Sequence, residues 1–159
     1  MPSRAVSGSR VSADADALDG LSNEEIAFFY QSLASARDQL GDVTKSISRD
    51  FSIGPRGPWI IGVMGRGDAS PHELARISRV GRSLITVELE RLTAAGLILY
   101  EKDPLDRRRV KLSLTPLGRT VYARLGEELK RMLCIRLKGY SKEDVLRFSK
   151  MLHHFSIRK

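Results

Sequence analysis

The sequence predicts a mostly α-helical chain with one small β-hairpin. Apolar residues recur at three- and four-residue steps towards both ends of the chain. Two short helical segments in the middle carry their own start and stop signals. An alternating apolar and polar run then follows a turn that contains proline.

Bulk properties narrow the class. The 159 residues fit one compact domain or two small lobes that share a core. With 42% hydrophobic and 29% charged residues the chain is ordinary for a folded protein. No apolar run approaches the ~20 residues needed to span a bilayer, so no membrane span is expected. Residues 1–21 are rich in Ser, Ala and Asp and lack the apolar stretch of a secretory signal, and read as a flexible tail. Cys134 stands alone, which rules out an internal disulfide and leaves too few soft ligands for structural zinc; a reducing cytoplasm suits it. The net charge is +8, from 27 Lys plus Arg against 19 Asp plus Glu, with a pI near 10.0. An anionic partner is favoured and nucleic acid is the first candidate, although a solvated basic surface would give the same balance.

Each element has a local cause. Ser22 and Glu25 have capping-box spacing, and Ile26, Phe29, Tyr30, Leu33, Leu40, Val43 and Ile47 then mark a long amphipathic helix. Gly54-Pro55-Arg56-Gly57-Pro58 ends it, and Pro58 opens a short apolar helix through Met64 that is expected to be a buried strut. Ser70-Pro71-His72-Glu73 combines an N-cap serine, a proline at the first helical position and a glutamate at the third. The brief helix it starts carries Leu74, Ala75 and Ile77. A turn at Ser78 to Gly81 leads to another helix in which Ile85, Leu89 and Leu92 share a face, closed by Gly96. Leu97 to Lys102 and Val110 to Leu114 flank the turn Asp103-Pro104-Leu105-Asp106 and form the hairpin. Thr115-Pro116 caps a helix carrying Val121, Leu125, Leu129 and Met132, ended by Gly139. Ser141 and Asp144 start the last one, with Val145, Phe148, Met151, Leu152 and Phe155 on one face.

Two short helices joined by a tight turn and followed at once by a hairpin have the order of a winged helix-turn-helix, whose second helix can enter the major groove of DNA. Arg82, Ser83, Thr86, Val87 and Glu90 project away from the apolar face of that helix, so they can reach base edges or phosphates. Arg82 and Thr86 head the list of base-reading candidates. The hairpin tip gathers Arg107, Arg108 and Arg109 behind Asp106. Three neighbouring cations repel one another unless a polyanion relieves them, and a narrow minor groove attracts guanidinium groups. A solvated helix face and a soluble loop tip are the plainer readings of the same residues.

From Leu74 to Gly118 the sequence resembles the MarR family of winged-helix regulators. The resemblance rests on Leu74-Ala75, Leu89-Glu90-Arg91-Leu92, Gly96-Leu97-Ile98, Asp106-Arg107-Arg108 and Leu114-Thr115-Pro116-Leu117-Gly118, at matching spacing. It implies that the outer helices form a dimerisation region, giving segments 1–21 (tail), 22–56 (N-terminal dimerisation helix), 57–115 (winged helix-turn-helix) and 116–159 (C-terminal dimerisation helices). It implies further that Arg108 is the wing arginine and Asp106 the carboxylate that orients it, with Arg107 on phosphate. Gly81 and Arg82 depart from the family's usual serine and small residue, and Val87 stands where a polar or basic residue is common. Relatives often bind small aromatic acids or their thioesters between the dimerisation helices and the winged helix. Phe28, Phe29, Tyr30 and Trp59 are candidate cavity residues, with Arg37 or Arg56 as a carboxylate partner. Plain core packing is the favoured reading of each aromatic taken alone. Tyr30, Arg56 and Trp59 are retained as ligand candidates.

The remaining residues point to no other chemistry. His153 and His154 are adjacent and His72 sits in a first turn, so no metal-ligand spacing emerges. No nucleophile, base and acid grouping and no phosphate-cradling glycine loop is recognisable, so neither enzyme activity nor a cofactor is expected. Cys134, beside Leu133 and Ile135, reads as a small buried hydrophobe. The expected function is a homodimeric, cytoplasmic regulator that binds a pseudo-palindromic double-stranded DNA operator, a repressor released by a small aromatic effector. A winged-helix protein-interaction module and a DNA-binding regulator without ligand remain the alternatives.

Overall fold

The computed structural model describes residues 19–67, 69–102 and 110–156. Most of the tail and the wing residues Asp106, Arg107, Arg108 and Arg109 lie outside the described residues. Six helices and a two-stranded antiparallel sheet occur among the described ones: α1 (Asn23–Asp50), α2 (Gly57–Met64), α3 (Pro71–Ser78), α4 (Arg82–Ala94), β1 (Ile98–Lys102), β2 (Val110–Leu114), α5 (Pro116–Arg136) and α6 (Lys142–Ser156). Contacts divide the chain into a unit up to Gln39 and a larger one from Leu40 onwards.

In the first unit the start of α1 is set by its own side chains. The Ser22 backbone N–H donates to the Glu25 carboxylate at 2.8 Å, and the Glu25 N–H donates to the Ser22 hydroxyl at 3.2 Å. Two N–H groups that a helix end leaves unpaired are satisfied in this way. Ile26, Phe28, Phe29 and Tyr30 beyond the cap are all exposed, Tyr30 at 72%. In this chain they do not pack as core residues.

The larger unit is built on one apolar cluster. Ile47 and Ile53 meet Ile60, Ile61 and Met64 of α2, Leu74 of α3, Ile85, Leu89 and Leu92 of α4, Leu97, Ile98, Leu112 and Leu114 at the hairpin, and Val121 and Leu125 of α5. The corner after α1 turns through Ser52, whose φ of 52° is left-handed. Arg124 and Ser46 secure α5 to the end of α1. The Arg124 guanidinium donates to Asp50 at 2.6 Å and to Glu128 at 2.9 Å, and the Ser46 hydroxyl donates to Glu128 at 3.1 Å.

The hairpin pairs Ile98 with Leu114 and Lys102 with Val110 at its two ends, so Leu112 and Leu114 point inward together. Ala69 extends it, through backbone bonds in both directions with Leu112 at 3.3 and 2.8 Å. The sequence pattern gave no sign of this third strand-like pairing, because a single residue has no period. The β2–α5 junction explains the Leu-Thr-Pro-Leu-Gly motif. The Thr115 hydroxyl accepts from the Gly118 N–H at 2.9 Å and donates to the Gly96 carbonyl at 2.7 Å. A Cβ at Gly118 would lie 2.0 Å from the Leu97 carbonyl oxygen, so only glycine lets α5 approach this closely.

Burial fades along α5 and is absent from α6. α5 ends at Arg136, and Gly139, with φ 101°, makes the following turn. Phe148, Met151 and Phe155 of α6 are exposed. Cys134 is exposed too, against the expectation of burial. Its apolar neighbours Leu133 and Ile135 are also exposed, so nothing among the described residues covers that stretch.

Two substitutions on one helix separate close packing from helix propensity. Gly118→Ala is expected to lower stability by roughly 1–3 kcal/mol, since backbone must move. Gly126→Ala, which meets nothing within 4 Å, is expected to raise it by about 0.5–1 kcal/mol. Urea denaturation of both variants measures the difference.

Candidate nucleic-acid interface

The site begins with a well-fixed α3. The Glu73 N–H donates to the Ser70 hydroxyl at 3.2 Å while the Ser70 N–H donates to the Glu73 carboxylate at 2.8 Å. The backbone bond first, and the Ser70 hydroxyl second, hold the Glu73 carboxyl below its ordinary value. The cap is therefore complete above the ordinary glutamate pKa and weakens as pH falls through the lowered one. α3 closes on Arg79, which adopts a left-handed φ of 56° without being glycine.

Gly81 supplies the N-cap of α4 with extended backbone but no side-chain bond. The first N–H groups of α4 consequently keep no side-chain partner at their positive helix end. The helical period then divides α4 cleanly. Ile85, Glu88, Leu89 and Leu92 are buried. Arg82, Ser83, Thr86 and Val87 are exposed together on the other side, as predicted, and Glu90 joins them. The Thr86 hydroxyl donates back to the Arg82 carbonyl at 3.0 Å, leaving its oxygen lone pairs available to an incoming donor. Arg82 reaches across the turn, where its Nη2 lies 3.1 Å from Nδ1 of His72 on α3.

Beside this face, β1 presents Tyr100. Burial first, and the nearby charge of Glu90 second, push its phenol above the ordinary range. The four wing residues of the sequence reading, Asp106 to Arg109, lie outside the described residues, so their relation to α4 remains as the sequence reading left it.

The three ligand candidates are placed differently. Arg56 is half-buried at the N-cap of α2, without a side-chain capping bond, and Trp59 lies three residues on at 38% exposure. Tyr30 is exposed in the first unit. No cluster of three or more His, Cys, Asp or Glu able to hold a metal ion occurs among the described residues. No described helix is long and apolar enough to cross a membrane.

Two residues that the sequence reading passed over matter here. His72 lacks the spacing of a metal ligand, yet it touches Arg82. Glu88 falls on the inner face of α4 by period, but a charged residue gives no hydrophobic signal. It is 5% exposed, and its Oε1 lies 3.6 Å from Arg91. Its Oε2 has no hydrogen-bond partner among the described residues, and the carboxylate abuts Gly54, where a Cβ would overlap it.

No protein-family model matches the sequence, and no curated protein matches it. Solved structures do, and they define the class: the chain has the fold of the MarR-family winged-helix regulators. Among them, NadR in complex with 4-hydroxyphenylacetate aligns over 100% of both chains with a TM-score of 0.70 and 24% identity. The transcriptional regulator BldR from Sulfolobus solfataricus gives 0.66 and 23%, covering 83% of this chain and 96% of its own. A putative MarR-family transcriptional regulator from Listeria monocytogenes, complexed with a 26mer DNA, gives 0.68 and 13%, covering 79% and 85%.

Burying a carboxylate oxygen without a partner costs roughly 1–3 kcal/mol. Glu88→Leu keeps the inner face of α4 filled and is expected to raise the thermal unfolding midpoint. A lowered midpoint would mean that the carboxylate makes a bond the chain needs.

Proposed function

We propose that this protein is a sequence-specific, double-stranded DNA-binding transcriptional regulator acting as a homodimer. The exposed face of α4 carries the reading. A short helix locked to a core by one side presents Arg82, Ser83, Thr86 and Val87 outward, on the second helix of a helix-turn-helix order, which can enter the major groove. Arg82 is suited to guanine O6 and N7, and the Val87 and Thr86 methyl groups to thymine methyl. The uncapped first turn of α4 suits a backbone phosphate. The DNA complex of the Listeria relative and the positive net charge support the same reading.

Dimerisation is supported by the apolar residues the single chain leaves uncovered. Ile135, Phe148, Met151 and Phe155 near the C-terminus are 68%, 47%, 62% and 68% exposed. Patches of this kind on a folded chain mark interaction surfaces. Pairing of two copies sets two α4 helices about one DNA turn apart, roughly 34 Å, and so selects a pseudo-palindromic operator. In the wing, Arg108 enters the minor groove, oriented by Asp106, while Arg107 and Arg109 neutralise phosphates.

The regulator acts in the cytoplasm as a repressor by occupying promoter DNA, and a small aromatic acid or its thioester releases it. Within the larger unit Arg56 and Trp59 are the candidate ligand contacts, Arg56 for the carboxylate and Trp59 for the ring. Support comes from NadR, whose ligand is 4-hydroxyphenylacetate. A ligand of this kind favours a conformation in which the spacing of the two α4 helices no longer suits the operator.

Arg108→Ala is expected to weaken binding to a selected operator by roughly tenfold or more and to flatten its salt dependence, while sedimentation still reports a dimer. Unchanged affinity in a gel-shift titration contradicts the wing assignment. A thermal-shift series with aromatic acids checks the effector: the expected stabilisation is lost on Arg56→Ala, and no shift with any acid contradicts that part.

A further inference from the structure

The contact between α3 and α4 assigns a task to His72. Arg82 occupies the first position of α4 and is exposed, and a long side chain there has many rotamers to lose when it docks on DNA. Its Nη2 lies 3.1 Å from His72 Nδ1, ten residues earlier in the chain. No carboxylate forms an ion pair with Arg82 among the described residues. The guanidinium therefore has a neutral anchor, and that differs in kind from a charged one. An aspartate or glutamate would offset the charge of the fork and compete with guanine for its donors. An imidazole holds one N–H and leaves the full positive charge and the remaining donors to a base edge.

We propose that His72 is a positioning residue for sequence recognition: it holds the Arg82 guanidinium over the outer face of α4, so discrimination at the base pair Arg82 reads depends on His72. The proposal rests on the reading of α4 as the recognition helix.

Arginine only donates, so the contact requires the neutral imidazole with its proton on Nε2 and a lone pair on Nδ1. Glu73 lies close to the ring on α3, and Arg82 meets it from α4. Glu73 is committed to Ser70, so the acceptor that fixes Arg82 is the ring itself.

The experiment uses the full chain and a duplex selected from a random pool, with single-base-pair variants of that duplex in each half-site. Affinities are measured at fixed pH and ionic strength. His72→Ala is expected to lose roughly tenfold in discrimination at one base pair per half-site relative to the wild-type protein. His72→Asn, which offers an amide oxygen near the place of Nδ1, is expected to restore discrimination. Each variant is compared at matched affinity for its best duplex, so a merely structural loss lowers all affinities alike and leaves the ratio unchanged. Selective wild-type binding with the same base-pair profile in His72→Ala would overturn the proposal alone. Failure of the wild-type protein to prefer any duplex would overturn the reading of α4 and this proposal with it.

Discussion

Ile85, Leu89 and Leu92 are 1%, 0% and 0% exposed, and their burial decides how the rest of the winged helix is arranged. Three such side chains contribute roughly 1.5–3 kcal/mol each on removal from water, far more than any single surface bond on α4 can offer. Their seat is assembled from elsewhere in the chain: Ile60 and Ile61 of α2, Leu74 of α3, and Ile98 and Leu112 of the hairpin. Once that face is inside, the helical period leaves Arg82, Ser83, Thr86 and Val87 outside, with no contact of their own needed to keep them there. The supporting joints are backbone approaches that tolerate little change. Ala69 pairs with Leu112 in front of α3, and the Leu97 carbonyl meets Gly118 behind the hairpin.

A rigid inner face explains how small outer residues can be informative. A side chain that reads a partner is useful only if its backbone is held, and on α4 the hold comes from the buried inner face. Where α4 is less ideal, it is so at places that bear on binding. Gly81 leaves the first turn without a side-chain cap, and Glu88 puts a carboxylate into the inner face with one oxygen unpaired. Both forgo stability in α4, the helix on which the proposed function rests. The exposed aromatic and aliphatic residues of α6 fit the proposed scheme, in which a second copy would hide them and set the distance between two α4 helices.

Much of this was legible from the chain because its causes are local. Ser22 with Glu25, Ser70 with Glu73, Thr115, and Ser141 with Asp144 each bond as their spacing indicated, and Val110–Leu114 forms the strand its alternation required. Hidden features are those that depend on what lies opposite. Periodicity marks an apolar face but not whether the same chain covers it, so Cys134 was expected inside and is exposed, as are Phe28 and Tyr30. The Ala69 bridge, the left-handed turn at Arg79 and the His72–Arg82 contact each join residues whose relation only the folded chain creates. Glu88 was passed over because its charge masks the inward position its number gives it.

The central claim is that α4 and the wing are aimed at a duplex by pairing of two identical subunits. Selection of bound fragments from a random duplex pool by the purified protein, at low ionic strength, tests it most directly. The account predicts enrichment of an inverted repeat whose half-sites are centred about one helical turn apart, roughly 10 base pairs. A monomeric protein that enriches nothing, or a single half-site without its inverted mate, would contradict it.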